Sequence, residues 1–390
     1  LVIGARQSGK STLVRQIGAD RSAVWRSLDR PAVRNSALQD PTEFVRQNDL
    51  LIIDEVQRAP ELLLTIKEVV DSDPRPGRFL LTGSARVLGL RGLPDALPGR
   101  METIELWPLS QGEIDNEPDA FVDAAFRHGP ALTHRSELTK ADYAERVVRG
   151  GFPEAVARTG RRRERFLDSY VSDLVNRDVV QLSEIERGPQ MRSLVRLAAA
   201  RSGQLLVPGN LGNQLSLPQP TVARYLGLLE EVFLLKRIPA WSRNLGSRAV
   251  STSKVAFVDS AIAANLLGQD ARRLMRDDSP FGGLLEGFAA MEVARQLQWA
   301  TERVELYHYR TKDHVEVDLV LENRQGQVVA LDVKAASTVR SDDFAGLRHL
   351  QKRLGEDFVA GFVLYTGGQA LPFGPALRAL PLSALWQAQP

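Results

Sequence analysis

The chain has 390 residues and no cysteine; 50 Lys and Arg against 48 Asp and Glu leave a formal net charge of +2. Such a balance gives no global electrostatic case for a nucleic-acid partner, and the missing cysteines exclude disulfides, Cys-zinc sites and thiol nucleophiles. Apolar residues at 43% and charged residues at 25% fit a folded chain of two or three domains; no apolar run approaches the ~18 residues of a bilayer span, and the five histidines lack HExxH spacing.

The chain opens on Leu1-Val2-Ile3, short of the usual strand of about 5–6 residues, so the expectation is a chain cut or processed ahead of its first strand. Gly4-Ala5-Arg6-Gln7-Ser8-Gly9-Lys10-Ser11 then fits G-x-x-x-x-G-K-[ST] without mismatch. Its glycines let backbone N–H groups wrap a phosphate at a helix N-terminus. Lys10 supplies charge to the β and γ phosphates and Ser11 a hydroxyl to Mg²⁺, while Thr12 opens the following helix. Only 8 of the 50 basic residues are lysines, which makes Lys10 stand out.

Leu50-Leu51-Ile52-Ile53 predicts a buried parallel strand, with Asp54 and Glu55 at its C-terminal end, where ligands bind in open α/β sheets. Asp54 is expected in the Mg²⁺ shell and Glu55 as the group that polarises the attacking water. A third strand ends in Thr82-Gly83-Ser84. Either Thr82 or Ser84 senses the γ-phosphate or water, or the run is a plain strand end.

With the phosphate loop, LLIIDEVQ at 50–57, FLLTGSAR at 79–86, LPGRMETIELWPLSQGE at 97–113 and Gly150-Gly151-Phe152-Pro153-Glu154, the chain resembles prokaryotic AAA-type ATPases that carry a C-terminal domain of unknown function. The resemblance implies an ATPase sheet whose sensor strand lies between the two Walker strands. It also implies that Arg100 is either an arginine finger or sensor, or a surface loop arginine.

Residues 116–190 are mostly helical, and the basic run at 161–165 suits a solvated helix face. Tyr170 to Asp178, with Leu182 and Ile185, also matches the family. Over 191–245, three helical patterns precede the strand at 233–238, which is a winged-helix order. Gln219, Thr221 and Arg224 would start a recognition helix if this part meets DNA; the alternative is packing between domains or subunits.

Further on, Val315 to Leu321 and Val329 to Lys334 alternate, so Glu316 and Asp318 share a face, as do Asp332 and Lys334. With Glu286, the set Asp318, Asp332-x-Lys334 resembles the PD-(D/E)xK nuclease constellation, in which carboxylates hold a divalent cation and lysine positions water. The site is either active or an inactive relic of that fold.

The expected architecture is therefore α/β. It comprises a P-loop ATPase sheet (1–115, N-terminally truncated), a helical lid (116–190), a winged-helix-like part (191–245) and a nuclease-like α/β domain (246–390). The expected activity is Mg-ATP hydrolysis coupled to the C-terminal half in a cytoplasmic protein, with no membrane partner. DNA or a protein is the further partner, and homo-oligomers are open. The alternatives are a slow ATP-dependent switch or scaffold without nuclease activity, and a small-molecule kinase. A water-polarising Glu55 argues against the kinase, because it would waste ATP.

Overall fold

The computed structural model describes residues 1–46, 49–84, 99–179, 188–244 and 252–389. Leu182, Ile185 and the residues at 85–86 and 97–98 of the family stretches lie outside these. The described residues form two compact units, one built on Leu1–Pro108 with Glu231–Phe233, the other on the rest of the described residues.

In the first unit, β1 (Val2–Ile3), β2 (Val24–Ser27), β3 (Leu51–Asp54), β4 (Phe79–Gly83) and β5 (Ile104–Glu105) form one sheet in the order β2-β3-β4-β1-β5. All its pairings are parallel. The strand carrying Thr82 thus lies between β1, which leads into the phosphate loop, and β3, which ends at Asp54, the order expected for the sensor strand. Parallel strands need crossover helices. The helix Leu62–Ser72 returns from β3 to β4 and buries Leu62, Leu63 and Ile66 against Leu51, Ile53 and Leu81. Each such side chain stabilises the unit by roughly 1.5–3 kcal/mol.

Two glycines set the loop between β1 and the helix Lys10–Ala19. A Cβ on Gly4 would lie 2.1 Å from the Leu106 carbonyl oxygen, so only glycine fits there. Gly9 caps the helix at φ 101°, a left-handed conformation costly to other residues.

The second unit holds a six-stranded sheet: β8 (Val304–Arg310), β9 (Glu316–Asn323), β10 (Val328–Lys334), β11 (Phe358–Tyr365), β12 (Leu371–Pro372) and β13 (Leu377–Pro381), ordered β12-β13-β11-β10-β9-β8. Strands β8, β9 and β10 are antiparallel neighbours, whereas β10, β11 and β13 run parallel. The helix Ala345–Leu354 crosses from β10 to β11 and buries Leu347, Leu350 and Leu354 with Val317, Val328 and Phe358. The helix Phe281–Gln296 is buried on nearly every side, which marks a central helix rather than a surface one.

Helices Gly188–Ala199, Pro208–Leu215 and Gln219–Glu231 precede an antiparallel ribbon of β6 (Leu235–Ile238) and β7 (Lys254–Phe257). Residues 109–179 also belong to this unit, including the helices assigned by sequence to a lid. They are tied in by Asp259, whose carboxylate accepts from the backbone N–H of Gly151 (2.6 Å) and Phe152 (3.1 Å) and caps the helix Ser260–Leu266 through Ala261 N–H (2.9 Å). Among the described residues no helix is long and apolar enough to cross a membrane.

Candidate functional sites

The first unit gathers its polar residues at the C-terminal end of β3. Asp54 is buried, and its Oδ1 accepts from Ser11 Oγ at 2.8 Å and Thr82 Oγ1 at 2.6 Å, while Ser27 Oγ donates to Oδ2 at 3.4 Å. The carboxylate therefore joins the phosphate-loop hydroxyl to the sensor strand. Thr82 also accepts from the Glu55 backbone N–H at 3.1 Å, and Ser84 Oγ donates to Glu55 Oε2 at 3.0 Å. Gln57 donates to the same Glu55 oxygen and to Ser84 Oγ. Thr82 and Ser84 both hydrogen-bond to the carboxylate pair. Ser27 and Gln57 were missed by sequence reasoning, although Gln57 stands two residues beyond Glu55.

Lys10 is buried, with Nζ donating to the carbonyl oxygens of Gly4 (3.0 Å) and Ala5 (2.7 Å). Burial pushes its pKa down to about 8 against the opposing charges of Glu55 and Asp54. Ser8 Oγ is also buried and has no hydrogen-bond partner among the described residues. An ammonium satisfied only by carbonyls and an orphan hydroxyl in one loop suit a phosphate. Ser11 and Asp54, already in contact, are the oxygen donors Mg²⁺ prefers.

Arg100 lies elsewhere. Its guanidinium pairs with Asp71, near the C-terminus of the helix Leu62–Ser72. That helix runs back from the C-terminal end of β3, and Arg100 itself precedes β5, beside the start of β1, where the Leu1 ammonium donates to Glu102 O. Arg100 therefore lies near the start of β1, whereas the phosphate loop follows that strand's end.

The second unit brings together the other four candidates, Glu286, Asp318, Asp332 and Lys334, at a cavity of about 640 Å³ also lined by Arg201, Gln204, Asn210, Arg310 and Glu316. Lys334 Nζ donates to Asp332 Oδ1 at 2.7 Å, so those two share a face as alternation requires. Asp318 Oδ2 accepts from Val333 N–H at 2.9 Å. Sequence reasoning missed the central residue. Lys254 on β7 is only 3% exposed, and its Nζ lies 2.7 Å from Asp318 Oδ1, 3.0 Å from Glu316 Oε1 and 3.7 Å from Glu286 Oε2.

The electrostatics follow from that crowding. Burial, then the Asp318 charge, raises Glu286 to about 8 and Asp332 to about 7. Burial also opposes ionised Asp318, yet the charge and hydrogen bond of Lys254 hold its pKa below the usual carboxylate value.

Residues 1–115 match the family model described as an AAA domain, so the N-terminal region is AAA-type and ATPase-like. Residues 140–273 and 281–385 match two domains of unknown function, DUF8612 and DUF4143. The chain is 28% identical over 387 residues to uncharacterized proteins of Mycobacterium tuberculosis and Mycobacterium bovis, covering 98% of this chain and 79% of each relative. An uncharacterized Haemophilus influenzae protein is 22% identical over 293 residues, 69% of each chain.

Proposed function

We propose that this AAA-type chain binds Mg-ATP at the first site and hydrolyses it to ADP and phosphate. The observation that carries the reading is the Asp54 carboxylate shared by Ser11 and Thr82, with Glu55 next to it. Backbone N–H groups of Gly4, Ala5, Arg6, Gln7, Ser8, Gly9, Lys10, Ser11 and Thr12 surround the phosphates, and the Lys10 ammonium leaves its carbonyls for them. Mg²⁺, held by Ser11 and Asp54, would neutralise charge on the β and γ oxygens. Glu55 orients a water for in-line attack on the γ-phosphorus, and the bond to the bridging oxygen breaks. Ser84 reports the occupancy of that position to Glu55.

The test compares two variants. Lys10→Ala should lose nucleotide binding, whereas Glu55→Gln should bind ATP and turn over at least ~100-fold more slowly. Equal turnover in Glu55→Gln and parent protein removes Glu55 from the mechanism.

A slow switch is the second reading, favoured by the hydrogen bonds from Ser84 and Gln57 that engage Glu55 Oε2. Under it, turnover waits on their release, and Gln57→Ala speeds hydrolysis rather than slowing it. We read the second unit as the part that meets the client. The helix order before β6 supports a winged-helix-like contact with DNA or protein, with Gln219 and Arg224 exposed. The helix, β8–β9–β10, helix, β11 order supports nuclease ancestry. Hydrolysis would be coupled to this half, in a cytoplasmic homo-oligomer.

A further inference from the structure

The carboxylates Glu286, Asp318 and Asp332 beside Lys334 form a pattern in which a divalent cation is expected. Most of the carboxylate oxygens it would use are already engaged by cationic or backbone donors. A hard cation needs free carboxylate oxygens. Here Asp318 gives Oδ1 to Lys254 and Oδ2 to Val333 N–H, and Asp332 gives Oδ1 to Lys334. Glu316 gives one oxygen to Lys254 and faces Arg310 with the other at 3.4 Å, and Glu286 faces the same Lys254 ammonium at 3.7 Å.

The ammonium also comes from outside the set of strands that supplies the acids. Lys254 pairs with Ile238 across the β6–β7 ribbon and bridges to Leu205, while the next residue's N–H binds Gln204 O at 3.1 Å. The backbone is thus fixed on both sides, and the side chain is aimed into the cluster. A divalent ion entering there would meet two ammonium groups and a guanidinium of its own sign.

We propose that the Lys254 ammonium takes the place of a divalent cation in this cluster, so that the site in the native chain is metal-independent and a metal enters only when Lys254 is removed. The proposal stands apart from the ATPase reading, whose site lies in the other unit.

The experiment titrates Mn²⁺ into the nucleotide-free full-length chain, following free Mn²⁺ by electron paramagnetic resonance. Parent, Asp318→Asn, Lys254→Met and Lys254→Met/Asp318→Asn proteins are compared. Parent and Asp318→Asn should give the same isotherm. Lys254→Met should gain one Mn²⁺ site at least ~10-fold tighter than anything in the parent, lost again in the double variant. An Asp318-dependent Mn²⁺ site in the parent overturns the proposal. So does a folded Lys254→Met protein, checked by circular dichroism, that binds no more Mn²⁺ than the parent. Should Lys254→Met not fold, the parent against Asp318→Asn comparison decides alone.

Discussion

Lys10 has its ammonium on two carbonyl oxygens rather than on a carboxylate, and burial lowers its pKa to about 8. Nucleotide phosphates need the charged form, so binding is coupled to proton uptake once the pH passes that value. Below about 8 the ammonium is already present and affinity is flat; above it each binding event must first protonate the amine. Nucleotide affinity should therefore fall by about tenfold between pH 7 and pH 9, measured with a fluorescent ATP analogue, and Lys10→Arg should flatten the profile. Lysine scarcity made Lys10 and Lys334 legible. The same signal was available for Lys254, one of the eight lysines, but it opens an apolar strand run and its partners are 32 to 64 residues away. No local pattern points at them.

Among elements, the loop at 150–154 and the strand-to-helix turn at 258–260 depend on one buried carboxylate. Asp259 accepts from three backbone N–H groups, and a Cβ on Gly150 would lie 2.2 Å from it. Asp259→Ala strands those donors in the interior, and should lower stability by roughly 2–4 kcal/mol in chemical denaturation while leaving ATP affinity in the other unit unchanged. The glycine-rich stretch was visible in the sequence as a family feature without a role; its role is to admit a carboxylate from more than 100 residues downstream. Of the β2-β3-β4-β1-β5 order, the place of β4 between β1 and β3 was legible through the family resemblance, while the positions of β2 and β5 were not. The docking of residues 109–179 was not legible either, since their contacts are made at long range and helical periodicity says only that one face is buried.

For the whole molecule, the consequential fact is where Arg100 sits. Paired with Asp71 and close to the start of β1 rather than to its end, it is expected to serve a γ-phosphate on another copy. A transition-state role for it then requires assembly. Specific ATPase activity should rise with protein concentration. Arg100→Ala should cut turnover with ATP affinity nearly unchanged, and mixing it with Lys10→Ala should give more activity than the two proteins apart. Activity on mixing no greater than their sum would leave Arg100 a surface ion pair.

Glu55 carries the last consequence. Its backbone is left-handed, at φ 60° and ψ 49°, a conformation that costs a non-glycine residue on the order of 1–2 kcal/mol. Glu55→Gly and Glu55→Ala both lack the carboxylate, so both should be hydrolytically dead. The glycine protein should nevertheless be the more heat-resistant of the two, by about 1 kcal/mol, the reverse of the usual order in a helix or strand. Under the proposed mechanism, the residue is thus a standing tax on robustness that turnover would justify. A lineage that kept nucleotide binding but abandoned hydrolysis would be expected to drift to glycine or asparagine at this position, gaining thermal tolerance as it lost its chemistry.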